Sequence, residues 1–593
     1  MADTSHKRSR GRVAGEKYFI LVLGFVLILA FFALRKTAVG YKIVFLTPFT
    51  AASAGELYFL LSYAVVLWPG VFLFGLGFVS LFSNWTEQLT KRCALLLNKH
   101  ARVYLLILFV SSLAFYAALQ HYASLGFDLL DDIAPARFGG EILASGRWHL
   151  PFVACSKALP TLYLQAHDGF ISSFDYLGGQ LLWALSVLSR TGSLIFLLLS
   201  ALTPCVVAIV LYREAGVRWA VVGGMLLVLS PMGSFVSVSN HPHIGSRFLF
   251  AVSLLFFQKA IRQAQTRQSF YFFFVLGSAM LFRPFEIAFL ALPLALSLLS
   301  ALPTHKHRVL ALSGLLLPCL VFAVHNRILS GSFFVPGRFA VNELTGSLNR
   351  RSLLPHELAE NFSLLWTRFG ANLNYNLINL ILWGLGPLLL PFFFFGAMRN
   401  RFARLLSYGL ALELFLALLH DDHGLHHLGP IHYADALVPM VIATALGLRE
   451  AAELAIRHRI PRHYAAILPS AALFCFACFI GLYSGVLREQ ALMQRSVAMF
   501  LDDPRLDHSV LLTPDYEEVW SHLLPPPEFS GSQVRHWPPS HPELAGRIVF
   551  ADDRDDMLAE LRHCFSDRDF YRLHLNASGQ KLSIVAISED NTK

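Results

Sequence analysis

The sequence predicts a polytopic α-helical membrane protein of about thirteen spans, with a small C-terminal α/β domain on the non-cytoplasmic side. Three observations predict it. Of 593 residues, 55% are hydrophobic and only 15% are charged, against roughly 25% charged in an ordinary soluble domain. The apolar residues lie in long runs, not in amphipathic stripes, as bilayer-crossing helices require. The basic excess gathers in short loops between runs: Arg213/Arg218, Lys259/Arg262/Arg267, His305-Lys306-His307-Arg308, Arg399/Arg401/Arg404 and Arg457/Arg459/Arg462. That is the charge bias of cytoplasmic loops. It accounts for a net charge of +9 without invoking nucleic acid.

The elements follow in order. Lys7, Arg8, Arg10, Arg12 and Lys17 place the N-terminal tail in the cytoplasm. The first apolar run lacks a small-residue cleavage motif and reads as a retained span. Residues 1–102 then hold the tail and two spans, near 18–35 and 57–82. Lys91, Arg92, Lys99 and Arg102 mark the next loop as cytoplasmic, so a span near 103–124 exits outward. Residues 103–486 form the transmembrane core, with a first external loop at 125–190 that reads as short interfacial amphipathic helices. Further spans are expected near 192–212, 219–238, 246–260, 269–282, 286–301, 308–325, 376–397, 405–419, 434–448 and 464–486. Residues 487–593 are soluble in composition. There HSVLLTPD, GRIVFADD and KLSIVAI read as strands and DDMLAELRHCF as a helix. No Gly-rich phosphate loop is present, which argues against nucleotide hydrolysis. Of seven cysteines, Cys475 and Cys478 sit in an apolar run and read as packing. Cys155 and Cys564 both fall on the outer side, where a disulfide is open to them, although spacing alone does not fix the geometry.

Ionisable residues beside a span are costly and tend to be functional. Asp131-Asp132 emerges on the outer side just after the third span, with Asp128 one helical turn earlier. A carboxylate there serves as a general base, or with its neighbour as a cation ligand; the alternative is a helix cap before IAPARFGGEIL. HDDHGLHHLGPIHYAD, residues 420–435, carries His426 and His432. It suits an anionic headgroup or polar substrate, a transition metal, or simply a polar loop. Asn240-His241-Pro242-His243 with Arg247, Arg283-Pro284 with Glu286, His325-Asn326-Arg327 and Arg338 lie at outer span ends. Arg283 either pairs with Glu286 or binds a phosphate, which an arginine fork fits.

These phrases, in this order, resemble the GT-C superfamily of membrane glycosyltransferases. They are most similar to the bacterial branch related to protein O-mannosyltransferases and to the lipid A aminoarabinose transferase. The carriers are the acidic pair, ILASGRWHLP with Arg147, DYLGGQLLWALSVL, Asn240-His241-Pro242, Arg283-Pro284, NRILSGSFFVPGRF, GPIHYADALVP with Tyr433, and the terminal CFSDRDFYRLH. The sequence departs from the family where Asp replaces Glu in the pair, where a double proline is missing from DYLGG, and where Ile431-His432 stands in place of Arg-Tyr.

The resemblance implies an inverting transferase in the inner (plasma) membrane. It would move a monosaccharide from a polyprenyl phosphate donor to a glycan, lipid or protein acceptor outside the cytoplasm. Asp131 or Asp132, Asp131 preferred, would be the general base. Arg283, Arg327, Arg338, His241, His426 and His432 would bind the donor phosphate, and Asp128, Arg147 and Tyr433 would contact the acceptor or the loop. No cofactor is required; a magnesium or manganese ion on Asp131 and Asp132 is compatible with the pattern. The other classes open to such a sequence are a lipid-linked oligosaccharide polymerase or ligase, a transporter and a non-catalytic scaffold. No internal repeat of the kind common in transporters is evident.

Overall fold

The computed structural model describes residues 2–38, 59–128, 130, 133–152, 154–158, 164–337, 341–342, 347–348, 373, 377–418, 428–514, 541, 544–575 and 582–587. Asp131, Asp132, Arg338 and His426 lie outside them.

Among the described residues, eight helices are long and apolar enough to cross a membrane. They are Gly15–Ala33, Phe59–Leu81, Ala101–Ala123, Leu194–Ala215, His243–Gln263, Pro284–Ala301, His305–Ser330 and His463–Leu501. The protein is therefore a multi-pass membrane protein. Two bent pairs raise the number to ten: Val217–Leu229 with Pro231–Ser237, turned by 62°, and Leu377–Leu385 with Leu390–Arg399, turned by 89°. Three of the thirteen expected spans fall on helices outside this count, which rests on length and composition. Thr266–Met280 has 15 residues, about 22 Å of helix where a bilayer core needs about 30 Å. Arg401–Leu418 carries Arg401, Arg404 and Glu413, and Leu437–Arg457 carries Arg449, Glu450, Glu453 and Arg457.

The two bends place polar groups inside the bundle. Pro231 has no amide hydrogen and holds the preceding Ser230 extended (φ −56°, ψ 128°), so the helix breaks there. Ser230 then caps the next segment through the Gly233 amide and donates to the Trp383 carbonyl at 3.1 Å. Trp383 packs edge-on against Phe479 and Tyr483, each at 4.8 Å, and so ties both bends to the long Ile467–Leu501 helix.

Helices in lipid associate by close packing, with small residues where backbones approach. Gly396 and Gly447 make the closest such crossing: a β-carbon on Gly447 would fall on the Phe392 carbonyl, and one on Gly396 on that of Ala443.

Residues 125–190 are not only interfacial helices. Between the helices Ile133–Ala144 and Leu177–Ser189 lies a three-stranded antiparallel sheet, with Phe170–Ser173 between Leu150–Pro151 and Leu164–His167. A second sheet holds the C-terminal residues. Ser509–Thr513 pairs in parallel with both Ile548–Asp552 and Asp569–Leu575, and Leu582–Ala586 closes it antiparallel. One face of this sheet, with Leu558, Leu561 and Phe565, buries an apolar core against Phe138, Ile142, Leu150, Cys155 and Ile171 of the 125–190 segment. The C-terminal sheet thus rests on that segment.

Gly447→Val should lower the thermal unfolding midpoint in detergent, through an overpacking cost of about 1–3 kcal/mol or more. Gly481→Val serves as the control, since no atom lies within 4 Å of the position its β-carbon would take, and it should shift the midpoint by far less.

Candidate functional site

The site is built on the turn between Pro231–Ser237 and His243–Gln263. Asn240 sits in the left-handed region at φ 57°, which Asn tolerates better than most residues. The turn, its flanks and the facing helices gather polar side chains sealed from solvent: Ser237, Asn240, His241, His243, Ser246, Arg247, Asp435 and Glu413. Such burial demands internal partners.

His243, Ser246 and Arg247 follow at i, i+3 and i+4, so one face of the helix presents all three. Asp435, from the turn after Ile431–Tyr433, receives them. Its carboxylate accepts from Ser246 Oγ at 2.7 Å and pairs with His243 Nδ1 at 3.2 Å. His241 stacks on His243, rings 4.5 Å apart, and its Nδ1 accepts the His243 backbone amide. That bond leaves the His241 proton on Nε2, a neutral donor. Arg247 is 2% exposed. One guanidinium nitrogen donates to Ser237 Oγ at 2.8 Å, while Nε and the other terminal nitrogen have no hydrogen-bond partner. Glu413 is equally buried, with neither oxygen hydrogen-bonded, and lies within electrostatic range of Asp435, Glu286 and Arg283.

Asn240 links this interior to the acidic loop. Its amide nitrogen donates to Asp128 at 3.2 Å, and its oxygen accepts from Gln120 at 3.0 Å. Burial pushes the Asp128 carboxyl above the ordinary aspartate range, against opposing pulls from Arg137 and Asn240. Arg137 stands 3.7 Å from Asp128 and 3.3 Å from Glu141. The acidic pair itself is outside the described residues, but its flanking residues, Leu130 and Ile133, are both buried.

The other candidates divide. Arg283 precedes Pro284 in an extended conformation and forms a 2.6 Å salt bridge with Glu286, leaving its Nε without a partner. Both lie within electrostatic range of Glu413. His432 is partly buried and Tyr433 fully buried, on the turn that delivers Asp435. Arg327 stands apart: it is exposed, donates to the Gly331 carbonyl that ends its own helix, and lies over the Phe333 ring. Arg147 is exposed on the first external segment. Next to it, Trp148 reaches the buried His325, rings 6.3 Å apart. Among the described residues no three His, Cys, Asp or Glu side chains converge as metal ligands.

The fold is similar to that of several solved structures. ArnT from Cupriavidus metallidurans in the apo state matches with a TM-score of 0.45 and 12% identity, over 82% of this chain and 98% of that one. The same enzyme bound to undecaprenyl phosphate matches at 0.44 and 13%, over 80% and 98%. An Archaeoglobus fulgidus oligosaccharyltransferase complexed with zinc and sulfate matches at 0.37 and 13%, over 64% and 53%. No family model and no curated protein matches.

Arg247, His243 and Asp435 stand in segments that the sequence marked as polar candidates but were given no role there, and Glu413 was not singled out. Glu413 had a readable signal, since a lone carboxylate in ALELFLALL is functional by default when the helix is surrounded by apolar packing. Arg247 had one in its spacing from His243. Asn240→Gly keeps the left-handed backbone accessible but removes both side-chain bonds. It should destabilise the protein by about 2 kcal/mol, measured as a fall in the thermal midpoint. Asn240→Asp retains an acceptor for Gln120 but sets a second carboxylate against Asp128, and should be at least as harmful.

Proposed function

We propose that this protein is a glycosyltransferase that moves a monosaccharide from a polyprenyl phosphate donor to an acceptor hydroxyl on the outer side of the membrane, with inversion at the anomeric carbon. One observation carries the reading. A single turn, Ser237 to His243, joins the buried Arg247, with unused guanidinium donors, to Asp128 beside the acidic pair. The turn thereby ties the buried arginine to the residue three positions before the acidic pair.

The chemistry assigns them opposite roles. Asp131, or failing that Asp132, takes the proton of the acceptor hydroxyl. The oxygen attacks the anomeric carbon from the face opposite the lipid phosphate, and the bond from that carbon to the phosphate oxygen breaks. The departing phosphate gains charge in a site that excludes water, where fixed donors act most strongly. Arg247 is the principal donor, and His241 a second. Asp435 holds His243 and Ser246 in place and offsets the charge of Arg247 before the donor enters. Arg283 contributes only what its salt bridge to Glu286 leaves free. A lipid-linked donor suits a site outside the cytoplasm, since it is delivered laterally through the bilayer. A divalent ion held by the acidic pair would supply further positive charge toward the phosphate. The C-terminal sheet, on the same outer side, braces the first external segment where an acceptor would dock.

The test is transfer of radiolabelled sugar from polyprenyl phosphate donors in proteoliposomes. Asp131→Asn and Arg247→Met should each lower the transfer rate about 100-fold or more while the protein remains folded by size exclusion. Arg247→Lys, which keeps charge but not the fork, should fall between. Full activity in folded Asp131→Asn and Asp132→Asn variants would remove the acidic pair from the chemistry and move a polymerase, transporter or scaffold role ahead.

A further inference from the structure

Cys155 and Cys564 are 409 positions apart in the chain, yet their thiols lie within hydrogen-bonding reach of each other. Cys155 belongs to the short turn Ala154–Ala158 of the first external segment, and Cys564 ends the helix Leu558–Cys564 of the C-terminal sheet. The apolar core that joins these two parts contains Cys155 itself, with Leu558, Leu561 and Phe565 around it. Cys155 is 2% exposed, whereas Cys564 is exposed. Each remaining cysteine is placed otherwise: Cys205, Cys319, Cys475 and Cys478 fall within membrane-crossing helices, and Cys93 within the helix Ser83–Lys99.

We propose that Cys155 and Cys564 form a disulfide in the mature protein, fastening the C-terminal sheet to the first external segment. The two sulfurs meet at an interface already made by apolar burial. It rests on the outward placement of both segments, where thiols are oxidised, and not on the chemistry of the buried arginine site. Burial, and next the adjacent Cys564 thiol, push the Cys155 thiol up to about 12. The exposed Cys564 is therefore the sulfur that reacts first. As thiolate it attacks the disulfide of a dithiol oxidoreductase and forms a mixed disulfide. Cys155 then displaces the oxidoreductase sulfur. One S–S bond forms in this chain, the oxidant's S–S bond is reduced to two thiols, and the two protons lost here end on those thiols.

The experiment counts thiols. Membranes are quenched in acid, dissolved in SDS and labelled with maleimide-polyethylene glycol, with and without prior reduction. The chain has seven cysteines; the proposal expects seven labels after reduction and two fewer without it, at monomer mobility on the gel. Cys155→Ser should give six labels with or without reductant, and so should Cys564→Ser. Tryptic peptides carrying the two residues should appear linked by mass spectrometry of the unreduced protein. Seven labels without reductant would overturn the proposal. So would a reductant-sensitive count in either single variant, because the pair would then involve another cysteine. Sugar transfer plays no part in the readout, so failure of the transferase reading leaves the label count informative.

Discussion

A guanidinium sealed from water sets the terms for the centre of this protein. Arg247 brings a charge into a bundle whose surroundings are apolar, and a charge so placed must be answered by neighbours or by a ligand. Part of the answer is internal: Ser237 accepts one of its nitrogens and Asp435 lies within electrostatic range. The rest of the donor fork is unspent. Everything that shapes the turn around Arg247 follows from this demand. The break at Pro231 frees a stretch of chain, the left-handed Asn240 reverses it, and the stacked histidines rigidify it. A continuous helix through residues 231–243 would satisfy its own backbone and leave Asp128 without its link to the interior.

The carboxylates make the balance closer. Asp435, Glu413 and Glu286 face Arg247 and Arg283, so with neutral histidines the cluster carries more formal negative than positive charge. A phosphate entering such a cluster is opposed by those acids as well as attracted by the arginines. The geometry resolves part of this. Glu286 is held by Arg283 at 2.6 Å and Asp435 is saturated by Ser246 and His243, which leaves Glu413 as the acid with both oxygens unbonded.

The sequence read well where one rule dominated. Long apolar runs became spans at Leu194–Ala215, His243–Gln263 and Pro284–Ala301 because burying nonpolar surface outweighs every other term there. It read badly where two rules competed. Leu437–Arg457 is apolar in its first half and charged in its second, so the span expected near 434–448 covers only part of the helix. In the first external segment the expectation of interfacial helices passed over a plain hairpin signal. Asp168-Gly169, both at positive φ (49° and 76°), join Leu164–His167 to Phe170–Ser173, and Asp-Gly between two short apolar strands is among the strongest such signals. The strands Ser509–Thr513 and Ile548–Asp552 were legible from their own text, but Asp569–Leu575, rich in charge, was not. The pairing of His243 with Asp435 across 192 residues had no local trace. Contacts of that range are set by which helices pack together, and a single sequence does not carry that information. The Arg283–Glu286 pair, three residues apart, was by contrast legible in the sequence.

The two regions are mechanically one. The Ile133–Ala144 helix begins directly after the acidic pair, and its Phe138 and Ile142 lie in the core shared with the C-terminal sheet. From the same helix Arg137 reaches back to Asp128, which Asn240 ties to the buried turn. A displacement of the sheet is therefore felt at the acidic loop through one rigid helix about three turns long. The same reasoning explains why a soluble sheet accompanies a site whose polar groups all come from the membrane region. The sheet packs on the helix that follows the acidic pair and gives that helix a fixed wall.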